Sequence, residues 1–137
     1  MIEYSSIGKF VLEKEKFISP WIEFVLDEEE RELGEINYIF CDDDYLLDIN
    51  IKKLKHNTLT DIISFDYTLG KVVSGDIYIS YERIKENAET LEVLFEDELH
   101  RVMIHGILHY CGYKDKTAAD KQMMRSKEDY YLSLRTF

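Results

Sequence analysis

Two histidines four residues apart, His105 and His109, lie in an apolar run and are the residues of this chain best suited to chemistry. On a helix, at about 100° per residue, this spacing places the two imidazoles roughly 40° apart on one face. Gly112 can end that helix through a left-handed residue, so that the chain turns back and brings Asp115 to the same point. Three protein ligands leave one coordination position open for water, as in catalytic zinc sites. The segment therefore predicts a hydrolytic metal site.

The ligand types favour one zinc ion, although nickel or iron can occupy the same donors. Without a metal, two histidines at this spacing are also typical of partly buried, hydrogen-bonded core residues. The spacing HxxxHxxGxxD is similar to that of metzincin proteases, which place a glutamate general base directly after the first histidine. Here that position is Gly106, which has no side chain to carry a proton. A small metalloprotease is therefore a disfavoured alternative.

Composition bounds the class of protein. With 137 residues, 45% of them hydrophobic and 13% aromatic, the chain is predicted to form one folded domain over residues 1–137. No apolar stretch approaches the roughly 20 residues of a membrane span, and the first residues lack the pattern of a signal peptide. Cys41 and Cys111 lie far apart, which favours reduced thiols over a disulfide framework. These features predict a cytoplasmic protein without a membrane partner.

Net charge lowers the expectation of generic nucleic-acid binding, because that activity usually needs a basic surface and this chain carries a formal charge of −11. The acidic run 28–32 is predicted to be a solvated helix face. Basic residues nevertheless cluster in two segments, which leaves room for one basic cleft. They are Lys52, Lys53, Lys55 and His56 in the first segment, and Lys114, Lys116, Lys121 and Arg125 in the second.

Periodicity and capping residues predict the elements that must position this site. Alternating apolar residues rich in β-formers predict three strands. They are Glu35–Cys41, Thr60–Tyr67 and Gly75–Ser80. Helical periodicity and N-cap residues predict five helices. The first helix starts at Ser19-Pro20 and runs to Gly34, and the second starts at the Asp42 cap. The third runs from the Ser80 cap to Leu91, and the fourth spans Phe95–Cys111. The last runs from a Thr117–Asp120 capping box to about Leu134. The predicted fold is α+β, with a small central mixed sheet of about four strands packed against helices.

Three other residues on the predicted metal helix differ in whether they can reach the metal site. His100 lies about 180° from the histidine face, and Cys111 about 200° from His109, so neither is expected to be a ligand. Glu98 returns to within about 20° of that face but stands two turns away from His105. It is expected to orient a ligand or line the cleft, or else to be an exposed acid on an acidic helix.

The stretch His105–Asp115, HGILHYCGYKD, resembles the HGxLHLxGYDH signature of the bacterial YbeY family of metal-dependent endoribonucleases. The resemblance extends upstream, where Thr60–Phe65 is similar to the family's TDVLSF strand and Gly75–Ser80 to its GDIxIS strand. Glu98 matches the acidic residue that precedes the family motif. Met124 and Glu128 stand where the family's last helix carries a Met and a Glu. Matching pieces run from about residue 49 to residue 131.

Two positions depart from the family pattern. The third metal ligand of the family is usually His, and this chain has Asp115, whose carboxylate still suits zinc at about 2.0–2.2 Å. The family also has an Arg that serves RNA or the scissile phosphate, and that position falls on Leu54. We expect Lys53, Lys55 or His56 to supply charge there, although a lysine is a point charge without the bidentate geometry of arginine.

The resemblance implies a zinc-dependent endoribonuclease that cuts single-stranded RNA during ribosomal RNA maturation and ribosome quality control. Its partner would be ribosomal RNA or the small ribosomal subunit. The general base is not identified by sequence, and Lys55, His56 and Glu98 are the catalytic candidates. An alternative of a different class is a non-catalytic ribosome-assembly or RNA-binding factor with a structural metal.

Overall fold

A computed structural model describes all residues, 1–137, which form four strands and five helices. The elements, in chain order, are β1 (Ile2–Ser6), α1 (Glu15–Glu28), β2 (Glu32–Cys41), α2 (Asp43–Leu54), β3 (Ile62–Asp66), β4 (Val72–Ser80), α3 (Tyr81–Leu91), α4 (Phe95–Tyr110) and α5 (Ala118–Ser133). The strands form one sheet in the order β1-β2-β4-β3. The first three strands of that order are parallel, and β3 is antiparallel to β4. The predicted α+β fold with a four-stranded mixed sheet is confirmed.

The hydrophobic core lies between one face of the sheet and the helices. Alternate residues of the strands point into it, among them Tyr38 of β2 and Ile77 of β4, because successive strand side chains point to opposite faces. α4 is the central helix, and both Met103 and Ile107 are fully buried. On the other face a small cluster contains Leu46 of α2. One face of α4 is therefore packed in the core, and another face remains available to carry a functional site.

Several boundaries follow the predicted capping chemistry. The Asp42 carboxylate accepts from the Tyr45 amide at 2.8 Å at the start of α2. The Ser80 hydroxyl caps α3, and Thr117 with Asp120 forms the reciprocal capping box that starts α5. None of the helices is long and apolar enough to cross a membrane.

The predicted start of the first helix is wrong. α1 begins at Glu15, so Pro20 lies inside it rather than at its first position. The proline has no amide to donate to the Lys16 carbonyl one turn earlier. The added turn carries Ile18, which is completely buried beside Ile22 in the core. Burial of that side chain, worth about 1.5–3 kcal/mol, offsets the lost hydrogen bond.

The helix also ends earlier than the predicted Gly34, because Glu30 adopts a left-handed backbone conformation with φ 57°. A non-glycine residue supplies the left-handed conformation that ends α1, so the prediction that the helix ends at a glycine was wrong. β2 consequently begins at Glu32. β1 has no counterpart in the sequence-based assignment, since this five-residue strand depends on its parallel pairing with β2.

Candidate metal centre and its cleft

α4 presents His105 and His109 on one face, with their ring centroids 4.5 Å apart. The helix ends in a Schellman motif, in which the Tyr113 amide donates to the Leu108 carbonyl and the Gly112 amide donates to the His109 carbonyl. Gly112 adopts φ 102°, a conformation that L side chains avoid. The chain therefore reverses directly after α4, as its spacing predicts, and returns Asp115 toward the two imidazoles.

The three side chains converge through one atom each. Oδ2 of Asp115 lies 3.3 Å from Nε2 of His105 and 3.5 Å from Nε2 of His109. The three donor atoms lie within 4.8 Å of one another. Ligand atoms around a tetrahedral zinc are about 3.3–3.4 Å apart when each bond is about 2.0–2.1 Å long. Two imidazoles and one carboxylate at this spacing fit a zinc ion, with a fourth side open to the cleft.

The second nitrogen of each ring is already engaged. Nδ1 of His105 donates to the Glu128 carboxylate at 2.6 Å, and Nδ1 of His109 donates to the Tyr113 carbonyl at 2.9 Å. These bonds fix the tautomer, so that Nε2 of each ring carries the lone pair that a metal requires. Two histidines that only pack in a core would not require their Nε2 atoms to face the same point.

Glu128 extends this arrangement to a second helix. Its other oxygen accepts from Nη1 of Arg101 at 2.9 Å, and Nη2 of Arg101 binds Asp129 at 2.6 Å. Burial disfavours a charged His105, but the Glu128 hydrogen bond and the nearby charges of Glu128 and Asp115 outweigh it and raise the His105 pKa. The surroundings of His105 therefore favour positive charge, whether it comes from a proton or from a metal ion.

The turn after α4 is fastened to α1. Tyr113 donates from its hydroxyl to Glu29 at 2.7 Å, and Glu29 also accepts from Tyr131 and Lys127. Burial opposes ionisation of Glu29, yet these hydrogen bonds and the Lys127 charge lower its pKa. Arg31 donates to the Cys111 carbonyl at 2.8 Å. The prediction that the acidic run 28–32 is only a solvated face is therefore wrong at Glu29, which holds the turn.

A cleft of about 660 Å³ opens over the three converging side chains. Its walls carry acidic and basic side chains in similar number, from the residue before β3, from α4 and from α5. Besides Asp115 they are Asp61, Glu98, Arg101, Lys121, Arg125 and Glu128. The cleft is therefore polar, and it contains positively charged side chains in spite of the acidic composition of the whole chain.

Glu98 is one of the acids of this cleft rather than the exposed acid of the alternative interpretation. The residue is only 6% exposed, and it forms part of the lining of the cleft. Burial and the neighbouring Asp61 charge raise its pKa. Burial raises the pKa of Asp61 as well. The expectation that Glu98 lines the cleft is confirmed, and the cleft wall holds two carboxyls that retain protons more readily than usual.

Other residues of interest lie elsewhere. His100 is buried against Trp21 and Phe137, away from the cleft, and Cys111 is buried in the core as a free thiol. The basic residues at the end of α2 are exposed and do not line the cleft; they are Lys53, Lys55 and His56. Their contact with RNA stays a prediction.

Arg101 and Asp61 were missed as cleft residues by sequence analysis. Arg101 precedes His105 by four residues on α4, the same spacing that pointed to His109, so helical periodicity alone could have identified it. Asp61 just precedes β3, and nothing local indicates that this strand packs beside α4.

The fold and the donor set together are those of a small α+β metal-dependent hydrolase. Comparison with known proteins narrows the class: residues 5–135 match the family model described as Endoribonuclease YbeY. Proteins named Endoribonuclease YbeY from Flavobacterium johnsoniae and Flavobacterium psychrophilum are 54% and 57% identical over 134 residues. Those matches cover 98% of this chain and 96% of each relative.

The fold is also similar to the solution structure of TM1509 from Thermotoga maritima, with a TM-score of 0.70 and 26% identity. That match covers 97% of this chain and 87% of the other. The chain belongs to the YbeY family of endoribonucleases, and the family predicted from the motif at His105–Asp115 is confirmed.

Proposed function

We propose that this protein is a zinc-dependent endoribonuclease that cuts single-stranded RNA, and that its substrate is ribosomal RNA during maturation and quality control of the small subunit. The observation that carries the proposal is the convergence of His105, His109 and Asp115 on one point, at distances that suit a single ion. Family membership supplies the RNA substrate class. The two free cysteines support a reducing compartment, the cytoplasm.

His105, His109 and Asp115 would hold the ion at the floor of the cleft. When bound, zinc supplies a Lewis acid that polarises a phosphoryl oxygen and lowers the pKa of water. Glu128 keeps the His105 ring in the tautomer that leaves Nε2 unprotonated, and the Tyr113 carbonyl does the same for His109. These two hydrogen bonds preorganise the donors before RNA enters, so little reorganisation is required during the reaction.

Proton transfer is assigned to a carboxyl of the cleft wall. Glu98 is largely buried, and burial with the nearby Asp61 charge raises its pKa, so a proton resides on its carboxyl oxygen more readily than on an ordinary glutamate. A group of this kind can donate that proton to the leaving oxygen of the RNA. Lys55 and His56, the other catalytic candidates, lie outside the cleft, which favours Glu98 over them.

The test is cleavage of an end-labelled single-stranded RNA by the wild type and by His109→Ala, purified identically. We expect only the wild type to cut, chelation to stop it, and added zinc to restore it. His56→Ala is the matched control, because it removes an exposed imidazole outside the cleft. A product ending in a 2′,3′-cyclic phosphate indicates attack by the 2′-hydroxyl, and a free 3′-hydroxyl indicates attack by water.

Equal cutting by the wild type and His109→Ala would contradict the proposal, as would no cutting by either. If no RNA is cut while binding to ribosomal particles persists after chelation, the protein is a ribosome-assembly factor with a structural metal. The position of the donor set at an open cleft argues against that alternative, because structural zinc sites are normally closed by four protein ligands.

A further inference from the structure

Three cationic side chains line the cleft, and they differ in how many acidic groups of the protein they contact. Arg101 is engaged by two carboxylates, Glu128 and Asp129, at 2.9 and 2.6 Å. Lys121 has no acidic oxygen within 4 Å and makes no side-chain hydrogen bond, while Arg125 reaches only Glu128, at 3.9 Å. Two of the three cations are thus free to bind an external anion.

Lys121 and Arg125 are separated by four residues on α5, which places them on one helix face, one turn or about 6 Å apart. The same helix delivers Glu128 to His105. α5 therefore carries two free cations along the wall of the cleft and, one turn further, the carboxylate that orients a metal ligand. An anion held by the two cations would lie beside the converging side chains.

The net charge of the chain favours such a pair of cationic side chains. A chain with a formal charge of −11 repels polyanions at long range, so local cations must offset the phosphates of a substrate at the point of contact. Glu128 offers Arg125 little competition, because its two oxygens already accept from Arg101 and His105. The basic segment at the end of α2 lies outside the cleft and cannot act on a phosphate held there.

We propose that Lys121 and Arg125 form a phosphate-binding subsite, which holds the backbone of single-stranded RNA beside the scissile phosphate. The planar guanidinium of Arg125 can bind two phosphate oxygens, and the Lys121 ammonium supplies a second positive charge one turn away. This inference rests on the proposed function for its substrate class. It assigns the RNA contact to α5 rather than to Lys53 and Lys55.

The test measures binding and cleavage separately. Binding of a fluorescent single-stranded oligoribonucleotide is followed by anisotropy at several salt concentrations, in a His109→Ala background that prevents cutting. Adding Lys121→Ala and Arg125→Ala is expected to raise the Kd on the order of tenfold and to reduce the salt slope of log Kobs by about 1.4, since each phosphate contact on a single strand contributes about 0.7. Lys53→Ala with Lys55→Ala is the matched control, because it removes the same charge outside the cleft, and it is expected to change both quantities less.

Cleavage is then measured with the two sets of substitutions in the otherwise wild-type protein. Removal of Lys121 and Arg125 is expected to lower kcat/KM by a similar factor while zinc affinity stays unchanged, which shows that the metal site is intact. Arg125→Lys, which retains the charge, is expected to keep most of the affinity. Both residues are exposed, and alanine is a good helix former, so α5 should remain folded.

An unchanged Kd and salt slope in the Lys121/Arg125 variant would overturn the proposed subsite. Loss of binding in the Lys53/Lys55 variant instead would assign the RNA contact to the end of α2. The nuclease proposal fails separately: if the wild type cuts nothing while the α5 variant still binds RNA more weakly, the subsite stands without the activity. If the wild type binds no RNA at all, both proposals fail.

Discussion

Nδ1 of His105 lies 2.6 Å from Oε2 of Glu128, and this contact joins α4 to α5 at the centre of the candidate metal site. Arg101 binds the other oxygen of the same carboxylate from one turn earlier on α4. Glu128 is thus held between an arginine and a histidine that is a candidate metal ligand. The orientation of His105 therefore depends on a helix that contributes no ligand of its own.

Glu128→Gln is expected to lower zinc affinity by about 10–100-fold, as loss of an orienting partner typically does. An amide offers one acceptor oxygen, so its NH2 group would face either Arg101 or His105, which are both donors. Competition with a chromophoric chelator measures the affinity directly. Asp129→Asn is the control, because it removes the charge of the other partner of Arg101 and leaves His105 untouched. Unchanged zinc affinity in Glu128→Gln would contradict an orienting role.

Glu98→Gln is expected to reduce kcat by about 10²–10⁴-fold, the usual contribution of a positioned acid or base. The raised pKa means that an ionised Glu98 destabilises the fold at pH values above that pKa, so the amide should leave the free energy of unfolding at pH 7 equal or higher. Urea denaturation and single-turnover cleavage separate the two effects. The variant should also lose the decline of kcat at rising pH that a catalytic acid produces. Cleavage at the wild-type rate would exclude Glu98 as the proton donor.

The convergence of the three side chains was predictable from sequence because its geometry is local. His105 and His109 are related by helix periodicity, and Gly112 ends α4 through a turn that requires a left-handed residue. Asp115 follows within three residues, so no long-range information is needed to bring it back. The caps at Asp42 and Thr117 were predictable for the same reason.

The contacts that hold the donors in place were not predictable from local sequence, because they are set by packing between distant elements. Glu128 reaches His105 across 23 residues of sequence, and Glu29 reaches Tyr113 across 84. The start of α1 was misplaced since burial of Ile18 outweighs the local signal of Ser19-Pro20. β1 exists only through pairing with β2, which no periodicity within five residues reveals.

Gly75→Ala is expected to destabilise the protein by about 2–3 kcal/mol, the cost of overpacking a tight interior. A Cβ atom at this position would lie 2.5 Å from the Phe65 carbonyl oxygen and 2.5 Å from the Tyr110 ring. Tyr110 cannot simply withdraw, because its hydroxyl lies 3.0 Å from that same carbonyl. Urea denaturation measures the loss. Tyr110→Phe removes only the hydroxyl and should cost about 1 kcal/mol; an equal cost for the two variants would show that steric crowding at Gly75 is unimportant.

His100 is expected to make stability depend on pH between about 6.5 and 4. Burial of the ring and the adjacent positive charge of Arg135 lower its pKa from 6.5 to about 4, against the opposing charges of Glu96 and Asp97. Arg135 donates to Nδ1 at 2.6 Å, so the folded state holds a neutral ring. The unfolded chain binds a proton at a higher pH than the folded chain does.

The contribution of His100 is therefore complete above pH 6.5 and is lost as the pH falls toward 4, by up to about 3 kcal/mol. His100→Gln retains an acceptor for Arg135 but cannot titrate. Urea denaturation at pH 7 and pH 5 should show a smaller fall in unfolding free energy for this variant than for the wild type. His56→Gln, which changes an exposed histidine, should behave as the wild type. An identical fall in wild type and His100→Gln would mean that His100 is protonated in the folded state as readily as in the unfolded chain.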